Sequence, residues 1–288
     1  MFIVRVKGGL GNQLFQYAFA LSISRMRRIP FKLDLHWFDL QEKRKFILDR
    51  YAIDYQIAID AEVDLVSRRK TQSIFQLMDV LIRGRLPYYT HHVIAERINQ
   101  FDDRVFRAPE DCYFDGYWQN EKYFFQYRQA LLSSLVLKKS IFFDASKLLD
   151  RIQQENSVSL HIRCGDYIQD KRISSVYEHQ TMDYYTTAIE TIRKTTNSPL
   201  FCVFSDDISW VKENMNFSSP VIFIDPQEKD ACEELYLMSQ CKHNIIANSS
   251  FSWWGAWLNT NPSKTVIAPK KWLVNKEVNH CPESWLLL

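Results

Sequence analysis

From residue 157 onward, short β-rich runs alternate with helical ones, and this alternation narrows the fold more than any other feature of the chain. The runs at 157–162 (SVSLHI), 200–204 (LFCVF), 221–224 (VIFI), 244–247 (NIIA) and 265–268 (TVIA) are short and mostly apolar. Strands buried on both faces read this way. Between them lie stretches with helical patterning at 183–194, 209–214, 231–240 and 253–258. A strand that is followed by a helix and then another strand returns parallel to itself, so the second half reads as a parallel sheet covered by helices on both faces.

The first half opens in the same way. A strand at 2–6 leads into the glycine turn of "GGLGNQLFQYAFA" (8–20), a helix from about 12 to 26 and a second strand at 31–35. The rhythm is then lost. Residues 40–130 are richer in charged and aromatic residues, with helical patches around 73–82 and 122–132. Polar stretches at Lys138-Lys139-Ser140 and Gln153-Gln154-Glu155-Asn156 mark a boundary near 140–156. A chain of 288 residues can hold two cores of this size, and the expected domains are 1–150 and 151–288. No internal repeat or low-complexity tract interrupts them.

Composition removes several classes of function. A formal net charge of +2 argues against a dominant nucleic-acid surface. The basic runs at 67–70 and 83–85 are read first as solvated faces, with contact to anionic lipid heads at the inner membrane as the alternative. Six cysteines without a C-x-x-C pair indicate neither a zinc site nor a redox dithiol. Free thiols in a reducing compartment are expected. The apolar start at Met1–Val6 is too short for a signal peptide, and no run reaches the roughly 18 apolar residues of a membrane span, so a cytoplasmic protein is expected. The 14% aromatic share is high and needs an explanation.

In open parallel sheets, ligands bind beyond the carboxyl ends of the strands. Three loops at that edge carry polar groups: Arg163-Cys164-Gly165-Asp166-Tyr167, Ser205-Asp206-Asp207 and Asn248-Ser249-Ser250-Phe251-Ser252. The serine-rich loop opens a helix, where backbone N–H groups and the dipole favour a phosphate; simple capping by Ser250 or Ser252 is the alternative. Arg163 offers a charged planar fork suited to a diphosphate, or else a surface ion pair with Asp166. Asp206 or Asp207 can accept hydrogen bonds from a ribose or a guanine edge, or cap a helix. Taken together, the three loops describe a nucleotide diphosphate site.

The glycine turn near the N-terminus fits the dinucleotide fingerprint imperfectly. Gly9 and Gly11 occupy the first two glycine positions and Leu14 the third. Asp34 lies roughly where a ribose-binding acid would stand, which keeps a nicotinamide oxidoreductase as a rival. That rival leaves the polar loops of the second half without a role. Asp34-Leu35-His36 and Asp206-Asp207 are weak metal patterns, read as structural, so no metal or cofactor is expected.

Four stretches together resemble the bacterial α-1,2-fucosyltransferases (glycosyltransferase family 11), relatives of the blood-group H enzymes: "GGLGNQLFQYAFA", "DGYWQNEKYF" (115–124), "HIRCGDY" (161–167) and "NSSFSWWGAWLN" (248–259). The resemblance implies an α/β protein of the GT-B fold, with two facing Rossmann-like domains. It implies metal-independent, inverting transfer of fucose from GDP-β-L-fucose to a β-galactoside. By the same resemblance, His161 and Arg163 match a His-x-Arg motif whose arginine grips the β-phosphate. Gly9, Gly11 and Asn12 belong to a loop facing the sugar and phosphate. Ser205 and Asp206 fall at the nucleoside, while Asn248, Ser249, Ser250, Phe251 and Ser252 form the diphosphate turn. The family's second arginine is replaced by Cys164; either that charge is dispensable or a neighbour such as Arg172 supplies it. Candidate bases are His161, Asp166 and Glu121. Tyr117, Trp118 and Gln119 are the acceptor candidates, with Tyr123 and Phe124 as further ring platforms; core packing is the alternative for the rings.

Overall fold

The computed structural model describes residues 1–42, 44–67, 92–96, 100–138, 146–163, 180–225, 230–274 and 280–288. Cys164, Gly165, Asp166, Tyr167, Arg172, the helical patch at 73–82 and the basic runs at 68–70 and 83–85 lie outside them. The chain divides into two compact units, Met1–Lys138 and Lys139–Leu288. The division falls ahead of residue 150 because the helix Ser146–Gln154 packs Ile152 into the core of the second unit.

The first unit contains β1 (Phe2–Arg5), α1 (Leu10–Arg27), β2 (Phe31–Asp34), α2 (His36–Asp39), α3 (Asp60–Ser67), β3 (Val93–Ala95), β4 (Cys112–Asp115) and α4 (Arg128–Ser134). Its four-stranded sheet is parallel, in the order β2-β1-β4-β3. Central β1 buries Phe2, Ile3 and Val4 completely. Helix α1 carries Arg25 and Arg27 in its last turn, where cations meet the negative end of the dipole, and it ends with Arg28 left-handed at φ 55°.

The aromatic excess of this half is a packed core. Phe19 stacks on Trp118 at 4.2 Å and 10°, and meets Phe114 and Tyr123 edge-on at 5.2 and 5.5 Å. Trp118, Tyr123 and Phe124 are at most 1% exposed, which closes their rings to an acceptor sugar. Core packing is therefore the correct reading for these three. Tyr117, 37% exposed, is the ring of this stretch left open to solvent.

The glutamines of the N-terminal motif are internal clamps. Gln13 donates to the Gly8 and Lys45 carbonyls and accepts from Ile47 N–H. Gln16 accepts from Lys7 N–H at 3.0 Å and donates to the Gly116 carbonyl at 3.1 Å, tying the ends of β1 and β4 together. Both side chains are 0% exposed.

The second unit contains α5 (Ser146–Gln154), β5 (Ser157–Ile162), α6 (Met182–Thr195), β6 (Leu200–Ser205), α7 (Ile208–Asn214), β7 (Val221–Ile224), α8 (Ala231–Gln240), β8 (His243–Ile245), α9 (Ser250–Leu258), β9 (Val266–Ala268) and β10 (Leu286–Leu287). The six-stranded sheet runs β10-β9-β8-β5-β6-β7, all parallel. Alternation along β6 shows how it is covered. Phe201 and Val203 pack with Tyr184, Ile192 and Val211 from α6 and α7. Leu200, Cys202 and Phe204 pack with Ile152, Leu237 and Met238 from α5 and α8. Both faces are thereby filled, and polar chemistry is confined to the strand ends. Among the described residues no helix is long and apolar enough to cross a membrane.

Replacing Gln16 by Leu leaves the Lys7 N–H and the Gly116 carbonyl without their partner. At about 1–3 kcal/mol for each stranded buried group, Gln16→Leu is expected to lower the unfolding free energy by about 2–6 kcal/mol in urea denaturation. A loss below about 0.5 kcal/mol would show that the clamp contributes nothing.

Candidate active site

The chain fills the second sheet outward from β5 to β7, then returns to the other side of β5 with β8 and continues to β10. The strands that follow β5 and β8 in the chain, β6 and β9, lie on opposite sides of this pair. This is the switch point at which open α/β sheets bind ligands. Leu160 pairs with Ile245, so Arg163 and Asn248 follow this rung at the same residue count, one on each of the two adjacent strands. Ile162 pairs with Ser205, which brings Ser205 and Asp206 in from β6.

His161 is buried at the end of β5. Burial first, and the neighbouring Arg163 charge second, push its imidazole down to about 3 against the opposing pull of Asp206. It is therefore neutral at physiological pH, and too weak to serve as a base in the free protein, one of the roles considered for it. Its Nδ1 is buried with no hydrogen-bond partner. Arg163 is half-buried, with its N–H 3.5 Å from the Tyr185 hydroxyl.

The two neighbouring aspartates divide their tasks. Asp207 caps α7 by accepting from Trp210 N–H at 2.9 Å, the structural alternative for this residue. Asp206 is exposed at the edge. Ser205 is 3% exposed and its hydroxyl accepts from Asp207 N–H.

In the serine turn the cap of α9 is Ser249, rather than Ser250 or Ser252: its hydroxyl accepts from Phe251 N–H at 3.3 Å. Ser252 is 1% exposed and donates to the Ala247 or Ser249 carbonyl. Asn248 donates to the Trp272 carbonyl at 3.1 Å. These bonds shape the turn. Ser249 only accepts, so its O–H proton is left for an anion together with the Ser250 hydroxyl, at the positive end of the helix. Phe251 stands 5.9 Å from the His161 ring.

The first unit has its own switch point, between β1 and β4. Gly8, following β1, is left-handed at φ 86°, and a Cβ there would stand 2.6 Å from Asn12 Nδ2, so only glycine fits. Gly9 precedes the first residue of α1 and Gly11 is buried within the helix. Across the switch point Gln119 Nε2 donates to Asn12 Oδ1 at 2.7 Å. Asp34 is 3% exposed and accepts from the Tyr113 hydroxyl and from His36. It is consumed inside the unit, which removes the ribose-binding acid of the nicotinamide rival.

The profile of glycosyl transferase family 11 matches residues 1–284. The chain belongs to this family. It is 34% identical to an α-1,2-colitosyltransferase of Escherichia coli over 99% of this chain and 97% of that one. It is 29% identical to the O-antigen biosynthesis glycosyltransferase WbnK of Escherichia coli, over 98% and 99%. Among solved structures, a mutant of Arabidopsis thaliana FUT1 in complex with GDP superposes with a TM-score of 0.53 at 10% identity, covering 93% of this chain and 70% of that one. The family 11 chain thus shares the fucosyltransferase fold, the GT-B class with a parallel sheet in each unit.

One group on this edge carries no signal in the sequence. Glu234, in the first turns of α8 beyond β7, has its carboxyl pushed up to about 7 by burial and by Asp230 and Asp225. Its protonated form is favoured by the fold. That stability is fully present below the ordinary value of 4.5 and is lost as the pH rises through about 7. Glu234→Gln is therefore expected to be more stable than the parent above pH 7, by up to about 3 kcal/mol, and equally stable below pH 4.5. Urea midpoints at pH 4.5 and 8.5 measure this, and a pH-independent difference would contradict it.

Proposed function

We propose that this family 11 glycosyltransferase moves L-fucose from GDP-β-L-fucose to the 2-hydroxyl of a β-galactoside, with inversion and without a metal. The observation that carries the reading is the second-unit crevice: Arg163 and the Asn248–Ser252 turn flank the switch point between β5 and β8, with Asp206 beside them.

Breaking the bond between the sugar C1 and the β-phosphate oxygen leaves the electron pair on GDP and positive charge on the sugar. Arg163 is a fixed cation for the diphosphate, and the N-terminus of α9 with Ser250 adds preorganised N–H donors. Neutral His161 offers a hydrogen bond from its unpaired Nδ1 rather than a second charge. Asp206 supplies an exposed acceptor for the nucleoside. The acceptor hydroxyl attacks C1 from the opposite face, and its proton passes to a base or to solvent. With the imidazole of His161 too weak, Asp166 and Glu121 remain the candidate bases. On the acceptor side, Tyr117 is the partly exposed ring, with the Lys7 ammonium over it, while the other candidate there, Gln119, has its Nε2 engaged with Asn12 Oδ1.

A second reading has a specific observation behind it. The 34% identical relative is an α-1,2-colitosyltransferase, and colitose is fucose without its 3-hydroxyl. The two sugars differ by one hydrogen-bonding group, a difference a single side chain can decide.

Incubation of the purified protein with a β-galactoside and either GDP-fucose or GDP-colitose, read by mass spectrometry, tests both readings. Fucosyl transfer that is unaffected by EDTA is expected. Transfer from GDP-colitose alone would reassign the donor, and transfer from neither would overturn the proposal. Arg163→Ala is expected to lower turnover about 100- to 1000-fold with the fold intact; near-parental turnover would remove Arg163 from the phosphate grip.

A further inference from the structure

The carboxyl end of β4 contains a strained residue. Trp118, bulky and fully buried, is left-handed at φ 56°, a region such residues avoid. Strain of this kind persists only where the surroundings over-determine it.

The restraints come from several sides. Glu96, directly after β3, accepts from the N–H groups of Tyr117 at 2.7 Å and Trp118 at 3.2 Å through the same carboxylate oxygen. Gln16 holds the Gly116 carbonyl from α1. The indole of Trp118 is stacked on Phe19. Gly116 leaves no room for a side chain, since a Cβ would stand 2.6 Å from Glu96 Cβ and 2.8 Å from Trp118 Cε2. The next residue along this pinned turn is Gln119, whose Nε2 donates to Asn12 Oδ1.

An amide whose oxygen is already engaged presents its NH₂ group. Asn12 lies in the first turn of α1 with Nδ2 beside Gly8, at the switch point of the first unit. The phosphate oxygens of a sugar diphosphate only accept, so they can use the NH₂ end of this amide but not the oxygen end.

We propose that Glu96 and Gln119 are positioning residues that fix the Asn12 amide with its NH₂ group available as a hydrogen-bond donor to the sugar diphosphate. The proposal rests on the transferase reading above, together with the family resemblance that implies the Asn12 loop faces the sugar and phosphate.

The decisive variant is Gln119→Glu, which keeps the shape of the side chain and replaces the donor with an acceptor. Asn12 must then turn its amide over to donate to the new carboxylate, which leaves Oδ1 where NH₂ had been. The expected loss in kcat/KM for the GDP-sugar is about 10- to 100-fold, with KM for the acceptor and the melting temperature unchanged. In an Asn12→Ala background the same change is expected to alter the rate by less than about twofold, because nothing is left to orient. Glu96→Gln, which retains an acceptor oxygen, recovers most of the activity lost in Glu96→Leu.

A readout that needs no turnover is the side-chain amide resonance of Asn12, assigned by its disappearance in Asn12→Ala, which shifts in Gln119→Glu. Equal losses in both backgrounds, a parental rate in Gln119→Glu, or an unmoved Asn12 resonance would overturn the proposal. A shifted resonance in a protein that transfers no sugar would instead uphold the positioning and overturn the transferase reading.

Discussion

A parallel strand covered on both faces leaves no lateral position for chemistry, and the rest of this molecule follows from that constraint. All six residues of β5 and all six of β6 are buried. Polar groups needed for binding can then lie only beyond the carboxyl ends, and the strand order decides which ends adjoin a crevice. Because β8 returns to the inner side of β5, Arg163 and the Asn248–Ser252 turn come to flank one gap although they are far apart in sequence. The same device is repeated in the first unit, where β4 returns beside β1 and brings Gln119 to Asn12.

The second sheet was legible because its strands are apolar runs separated by helices, and the expected runs at 157–162 and 221–224 agree with β5 and β7. The strand read at 244–247 is instead His243–Ile245, since Ala247 already belongs to the turn that leads to α9. β3 and β4 were not legible. They have three and four residues, and β4 reads CYFD, too short for a period to emerge. Their strand character comes from pairing with β1 and with each other, a tertiary fact that no local pattern contains.

The site was legible by residue type and less so by role. Asn12, Gln13 and Gln16 look equivalent in the motif, yet Gln16 closes on a carbonyl 100 positions away and Gln13 on one 32 positions away. Only the fold separates the two clamps from the amide at the crevice. The aromatic residues were ambiguous for the same reason. Tyr117 and Trp118 are adjacent in sequence, but the left-handed conformation of Trp118 sends its ring into the core, whereas Tyr117 stays open. Glu96 and Glu234 carried no signal at all, because their importance lies in what surrounds them.

His161 and Arg163, two residues apart at the end of β5, differ in charge. Burial and the adjacent guanidinium hold the imidazole near 3. To be protonated at neutral pH it would need about 5 kcal/mol of additional stabilising interaction from a bound diphosphate. β5 thus ends on a guanidinium group with a neutral imidazole beside it.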